Sequence, residues 1–229
     1  MSAFCYVHFA LFVIYCIKFL LEVTMHIPSC DTLDIPVLTF EEAMEVKNAD
    51  KYDTSRWLYV PDFYSEYRYI LGTKGKNPLI CIGINPSTAA PDDLDNTLKS
   101  VERIALHNGF DSFIMFNVYA QRATNPDDME KNFNLYLHEE NMKAFEYVLK
   151  LSENTASVWA AWGNIIEKRD YLSECVLTMA EIGKRYGASW YTAGKISVKG
   201  HPHHPLYLKK DTVLDAFDID RYCTDVLRK

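Results

Sequence analysis

The sequence has few of the residues that mark fibrous, disordered or disulfide-stabilised proteins. Glycine and proline number nine each in 229 residues, and 48% of the residues are apolar, which excludes a collagen-like or low-complexity chain. The six cysteines include no Cys-x-x-Cys pair. Their spacing fits neither a zinc ribbon nor an iron–sulfur site, so we expect reduced thiols. The length allows one well-filled domain, which we place at residues 25–229.

The motifs of several enzyme classes are also missing. The sequence contains no Walker loop, no dinucleotide-binding glycine fingerprint, no Ser-centred nucleophile elbow and no paired catalytic carboxylates. We therefore predict no cofactor. Positive charge is scarce as well, because 24 Lys and Arg oppose 31 Asp and Glu for a net charge of −7. That balance argues against a protein that coats nucleic acid through bulk charge.

The charge is unevenly distributed along the chain. Residues 31–66 contain nine acidic residues and three basic ones, whereas residues 164–210 contain eight Lys or Arg, four acidic residues and three histidines. We therefore expect a phosphate-bearing ligand to be drawn to the C-terminal half.

The N-terminal segment, residues 1–24, differs from the rest in its hydrophobicity. Residues 4–23 have about the length of a membrane span, although His8, Lys18 and Glu22 interrupt the apolar run. No basic residue precedes the run and no small-residue cleavage site follows it, which argues against a secretory signal. The segment is a poor membrane anchor, a hydrophobic helix packed on the domain, or translated sequence upstream of a start at Met25. We favour the third interpretation, which predicts a cytoplasmic protein; the first predicts one anchored in a membrane.

Strand and helix patterns alternate after a turn predicted at residues 71–75. This alternation predicts an α/β fold with a mostly parallel sheet and helices on both faces. The predicted strands are 78–84, 112–119, 157–162 and 189–192, and the predicted helices are about 94–108, 137–151 and 164–186.

Polar residues follow the predicted strands, at the edge where open α/β sheets bind ligands. Pro86 restricts the turn after the first of these strands, so that Asn85 can hold a water or a base edge. Asn117 interrupts an apolar strand and must be hydrogen-bonded if it is buried, so it either caps a loop or contacts a ligand. Arg122 could contact phosphate or lie in solvent. The further candidate binding residues at these strand ends are Pro86, Ser87, Tyr119, Gly163 and Asn164.

The segment 200–207 contains three histidines and two prolines. Adjacent histidines in a proline-restricted loop seldom converge on one ion, so we predict no metal site. A single histidine directed into the cleft, His201 or His204, could instead donate a hydrogen bond to a developing oxyanion.

Five segments together resemble a family of bacterial and phage proteins, domain of unknown function 1643. The resemblance extends from about Tyr67 to Leu208, and one departure is that the family's Asp-Pro-Thr is here Asp95-Asn96-Thr97. The matching segments are Tyr67–Leu71, Asn85–Ala89, Asn117–Pro126, Ala160–Asn164 and Gly200–Leu208.

A more distant resemblance is to the uracil-DNA glycosylases, on the segments Gly83–Pro86, Asn117–Asp128, Val158–Gly163 and His204–Leu206. It implies a three-layer sandwich around a four-stranded, mostly parallel sheet. It also implies that Asn85 positions a water, Asn117 contacts the base and His204 stabilises the departing base, with His201 as the alternative histidine. The implied ligand is a nucleobase, a nucleotide or a single extruded base of a nucleic acid. The implied activity is hydrolysis of an N-glycosidic bond, and the alternative is a non-catalytic binding module of the same fold.

Overall fold

The computed structural model describes residues 25–48, 51–206 and 208–228. The hydrophobic segment at residues 1–24, for which we weighed three interpretations, lies outside the described residues. Within the described part of the chain, no helix combines the length and the apolar character needed to cross a bilayer.

Seven strands form one mixed sheet in the order β1-β2-β4-β3-β5-β6-β7. The four central strands, β4, β3, β5 and β6, are parallel to one another. Antiparallel strands flank them, β2 and β1 on one side and β7 on the other. The strands are β1 (Trp57–Val60), β2 (Ile70–Thr73), β3 (Pro78–Gly83), β4 (Ser112–Asn117), β5 (Ser157–Ala160), β6 (Ser189–Ala193) and β7 (Leu214–Ala216).

Helices cover both faces of this sheet. They are α1 (Phe40–Glu45), α2 (Asn96–His107), α3 (Leu135–Leu149), α4 (Asp170–Arg185) and α5 (Ile219–Tyr222). The side chains of β3 alternate between two apolar clusters: Leu79 and Cys81 pack with α2, whereas Ile80 and Ile82 pack with α3 and α4. A strand buried on both faces is almost continuously apolar, which explains the sequence pattern of β3. The α/β class and the layered arrangement follow from these two clusters.

The prediction of four strands was too low. The three additional strands, β1, β2 and β7, are short and come from segments without a strong apolar alternation. The predicted turn at residues 71–75 was also wrong at its start, because Gly72 lies inside β2. A Cβ at this position would be only 2.4 Å from the carbonyl oxygen of Phe113. The glycine is needed there for a close approach of two strands, and in the sequence it resembles a turn signal.

The helix predicted at residues 164–186 is divided into two parts. A 3₁₀ segment covers Gly163–Lys168, and α4 begins at Asp170. Arg169 lies between them in an extended conformation, with φ −140° and ψ 137°. Its Nε donates to the backbone oxygen of Met129 at 3.1 Å, a long-range contact that periodicity does not reveal.

Candidate functional site

A cavity of about 540 Å³ opens at the carboxyl ends of β3, β4 and β5. It receives residues from the loop after β3, the start of α2, the end of β4, the 3₁₀ segment after β5 and the histidine-containing loop. Six of the predicted site residues line it: Asn85, Ser87, Asn117, Gly163, Asn164 and His204.

Backbone contacts fix the orientation of the Asn85 side chain. Its Nδ2 donates to the carbonyl oxygens of Pro86 at 3.1 Å and Ala123 at 2.7 Å. Both neighbours are acceptors, so the amide cannot be turned without losing both hydrogen bonds. The remaining atom, Oδ1, is therefore an acceptor without a partner among the described residues. In a residue that lines the cavity, this atom is suited to accept a hydrogen bond from a water.

Asn117 ends β4 directly beside Gly83 of β3, its partner in the parallel ladder. The side chain is 1% exposed and lines the cavity. With the amide oriented to suit its neighbours, Nδ2 donates to the backbone oxygens of Phe116 and Asn85, each at 3.3 Å. Asn117 therefore links the ends of two strands at the cavity.

His204 is half-buried in the cavity wall, where its Cβ would lie 3.5 Å from a Cβ added at Gly163. Its Nδ1 accepts from the backbone N–H of Leu206 at 3.2 Å, which assigns the ring proton to Nε2 in the neutral form. Burial lowers the pKa of His204 from its ordinary value, opposed by the nearby Asp95 carboxylate. The ring is thus held as a neutral imidazole with an Nε2–H donor.

Four predicted site residues are not among those that line the cavity. Pro86 is buried, and its carbonyl oxygen accepts from Asn85. The Tyr119 hydroxyl donates to the Glu130 carboxylate within the core. His201 is 4% exposed; its Nδ1 is 2.9 Å from the Tyr222 hydroxyl and its Nε2 is 3.1 Å from Glu167.

Arg122 is the fourth, and its guanidinium is fully buried. It donates to the carbonyl oxygen of Ser87 and, at 3.0 Å, to the hydroxyl of Tyr59. The ring of Tyr64 stacks on the guanidinium, with its centroid 4.3 Å away. Arg122 therefore holds the loop behind the cavity wall and does not line the cavity itself.

Sequence reasoning missed a second buried cation, Arg68. This residue is 1% exposed and lines the cavity. In the sequence it was noted only as part of the segment Tyr67–Leu71, which resembles the family. Burial and the charge of Arg122 lower the pKa of Arg68 to about 9. Among the described residues, no carboxylate oxygen lies within 4.0 Å of either guanidinium. Among the described residues that line the cavity, Arg68 is therefore the one Lys or Arg, and it forms no direct ion pair.

The sequence also predicted no site residue at the start of α2, because the segment Asp95-Asn96-Thr97 departs there from the family's Asp-Pro-Thr. Asp95 caps the helix by accepting from the backbone N–H of Leu98 at 2.9 Å, and Asn96 and Thr97 line the cavity beside it. Within the described residues, no group of three or more His, Cys, Asp and Glu side chains is arranged to hold a metal ion.

These features define an α/β protein with a polar cavity at the carboxyl edge of its parallel strands. The chain belongs to the family described as "Protein of unknown function (DUF1643)", whose model matches residues 68–206. The matched residues include Arg68, Asn85, Asn117 and His204, so the cavity lies within the family's common region. Comparisons with curated proteins and with solved structures found no match.

Proposed function

We propose that the chain binds a nucleobase in this cavity and hydrolyses its N-glycosidic bond. One observation carries the proposal: the fixed Asn85 amide, with Oδ1 open, shares the cavity with the Nε2–H donor of His204. An acceptor for water and a donor for a departing anion are the two groups that this hydrolysis requires.

The reaction follows from these two groups. A water that donates a hydrogen bond to Asn85 Oδ1 attacks the sugar carbon of the glycosidic bond. The carbon–nitrogen bond breaks, its electron pair leaves with the base, and His204 donates a hydrogen bond to the resulting anion. The water contributes its hydroxyl to the sugar and its proton, through solvent, to the base. An amide is a weak base, so most of the rate enhancement comes from leaving-group stabilisation and positioning.

The likeness to uracil-DNA glycosylases supports the same assignment. Each of the four similar segments supplies a residue to the cavity wall: Gly83, Asn117, Gly163 and His204. We propose on this basis that the parallel part of the sheet and its covering helices form a glycosylase-like sandwich.

Chromatographic detection of free base tests the activity. The purified full-length chain is incubated with DNA, RNA and nucleotides that carry modified or unmodified bases. We expect release of one class of base above the level of a boiled-protein control. Absence of release from every substrate would overturn the hydrolytic part of the proposal.

A non-catalytic binding module is a second candidate, and one observation favours it. Asp95 is the only carboxylate among the described residues that line the cavity, and one of its oxygens is used to cap α2. Among the described lining residues, the one carboxylate that could act as a general base is therefore already engaged as a helix cap. Thermal stabilisation by a nucleotide without base release would establish this alternative.

A further inference from the structure

We propose that Arg68 and the first turn of α2 form an anion subsite in the cavity, which holds a phosphate group of the ligand. The inference rests on the proposed function for the rest of the ligand: its base would lie against Asn117 and His204, with the attacking water at Asn85. It assigns the ligand to the phosphate-bearing class, a nucleotide or a nucleic-acid strand, and not to free bases or nucleosides.

The unpaired charge of Arg68 is the first observation. Nη1 donates to the carbonyl oxygen of Ala89 at 2.9 Å, and Nε is buried without a hydrogen-bond partner. The second buried guanidinium, Arg122, adds like charge and has only neutral partners. The Asp95 carboxylate attracts the Arg68 charge without forming an ion pair with it, and burying a cation without a direct counter-ion is costly. A phosphate in the cavity would supply both the missing negative charge and acceptors for the unused N–H groups.

The start of α2 is the second observation. The Asp95 carboxylate accepts a hydrogen bond from the backbone N–H of Leu98. The N–H groups of Asn96 and Thr97 have no hydrogen-bond partner among the described residues. Both residues line the cavity together with Arg68. The free N–H groups and the positive end of a twelve-residue helix favour an anion at this position.

Three surface lysines of the C-terminal half already have a partner of opposite charge. Lys168, Lys184 and Lys199 each pair with a carboxylate: Asp127, Asp220 and Glu167, respectively. The charge count along the sequence pointed to this half of the chain, but the unpaired buried charge lies at Arg68. Asp95 carries the one negative charge among the described residues that line the cavity, and it should repel an anion. Its replacement therefore provides a second test, with an expected effect opposite to that of replacing Arg68.

Calorimetric titration with inorganic phosphate tests the subsite in four proteins. The full-length wild type should bind phosphate and Arg68→Met should bind it roughly tenfold to hundredfold more weakly, as expected for loss of a charge-assisted hydrogen bond. Asp95→Asn should bind it severalfold more tightly, because it removes a like charge while asparagine retains the helix cap. The exposed Arg56→Met is the control and should match the wild type.

The inference is overturned if the wild type does not bind phosphate, or if Arg68→Met binds it as well as the wild type. Should Arg68→Met fail to fold, the Asp95→Asn result decides, and equal or weaker binding by that variant overturns the subsite. Base release by the wild type with unchanged affinity in these variants would refute the subsite alone. Phosphate binding without any base release would refute the hydrolysis alone.

Three further titrations distinguish the sources of the phosphate. A nucleoside 5′-monophosphate is compared with its nucleoside and with a short oligonucleotide that lacks terminal phosphates. Preference for the monophosphate over both indicates a free nucleotide, and preference for the oligonucleotide indicates a strand phosphodiester. Equal binding of the nucleoside and the monophosphate would contradict the subsite.

Discussion

The protein should become more stable when Arg68 is replaced by methionine. Desolvation and the neighbouring Arg122 lower the pKa of the Arg68 guanidinium from its ordinary value to about 9, which corresponds to several kcal/mol for holding the charge in the folded state. The substitution removes this cost. It also removes the hydrogen bond to Ala89, about 1 kcal/mol, and leaves a small cavity that costs roughly 1 kcal/mol. We therefore expect a net gain of about 1–3 kcal/mol in the free energy of unfolding.

Urea denaturation at pH 7 measures this difference, provided that the slope of the transition is unchanged. The matched control is Arg56→Met. The Arg56 guanidinium is exposed, lies 3.7 Å from Glu102 and 5.0 Å from the centroid of the Trp57 ring, so this substitution should lower stability by no more than about 1 kcal/mol. A loss of more than about 1 kcal/mol in Arg68→Met at unchanged slope would refute the reasoning. It would mean that the folded protein already neutralises this charge.

Two further substitutions test other parts of the account. His138 on α3 is buried and burial lowers its pKa to about 4, so its contribution to stability is present above pH 6.5 and is lost as the pH falls towards 4. His138→Phe should therefore lose roughly 2–3 kcal/mol less than the wild type between pH 7 and 4 in urea denaturation, and parallel losses would contradict this. Gly163→Ala should cost roughly 1–2 kcal/mol at pH 7 by the same method, because its φ is +63°; the added Cβ would lie 3.5 Å from that of His204, an ordinary contact. An unchanged stability in this variant would contradict the assigned backbone conformation.

The parallel part of the sheet could be predicted because its strands are strongly patterned. The run in β3 is apolar on both faces and is bounded by breakers, so its position and type follow from local sequence. The strands β1 and β7 are only four and three residues long, and each exists because it pairs with the adjacent strand along the chain, β2 or β6. Such pairing is a tertiary effect that local propensity does not contain.

The residues of the candidate site also divide into those that the sequence could predict and those that it could not. Asn85, Asn117 and His204 could be placed at one sheet edge because strand ends of a parallel sheet meet there. Arg68 could not, because a lone arginine in a sequence is by default exposed, and its burial depends on the loop that carries Ala89. The two histidines illustrate the limit: His201 and His204 are only three residues apart, and the structure alone shows that His201 is held by Tyr222 and Glu167.

The most direct test of the central claim is the rate of base release by Asn85→Ala under single-turnover conditions. We expect the rate to fall by roughly 10²–10⁴ relative to the wild type while substrate affinity is retained. The reason is that the Asn85 amide is assigned to positioning the attacking water and not to binding the base. An unchanged rate in this variant would contradict the account.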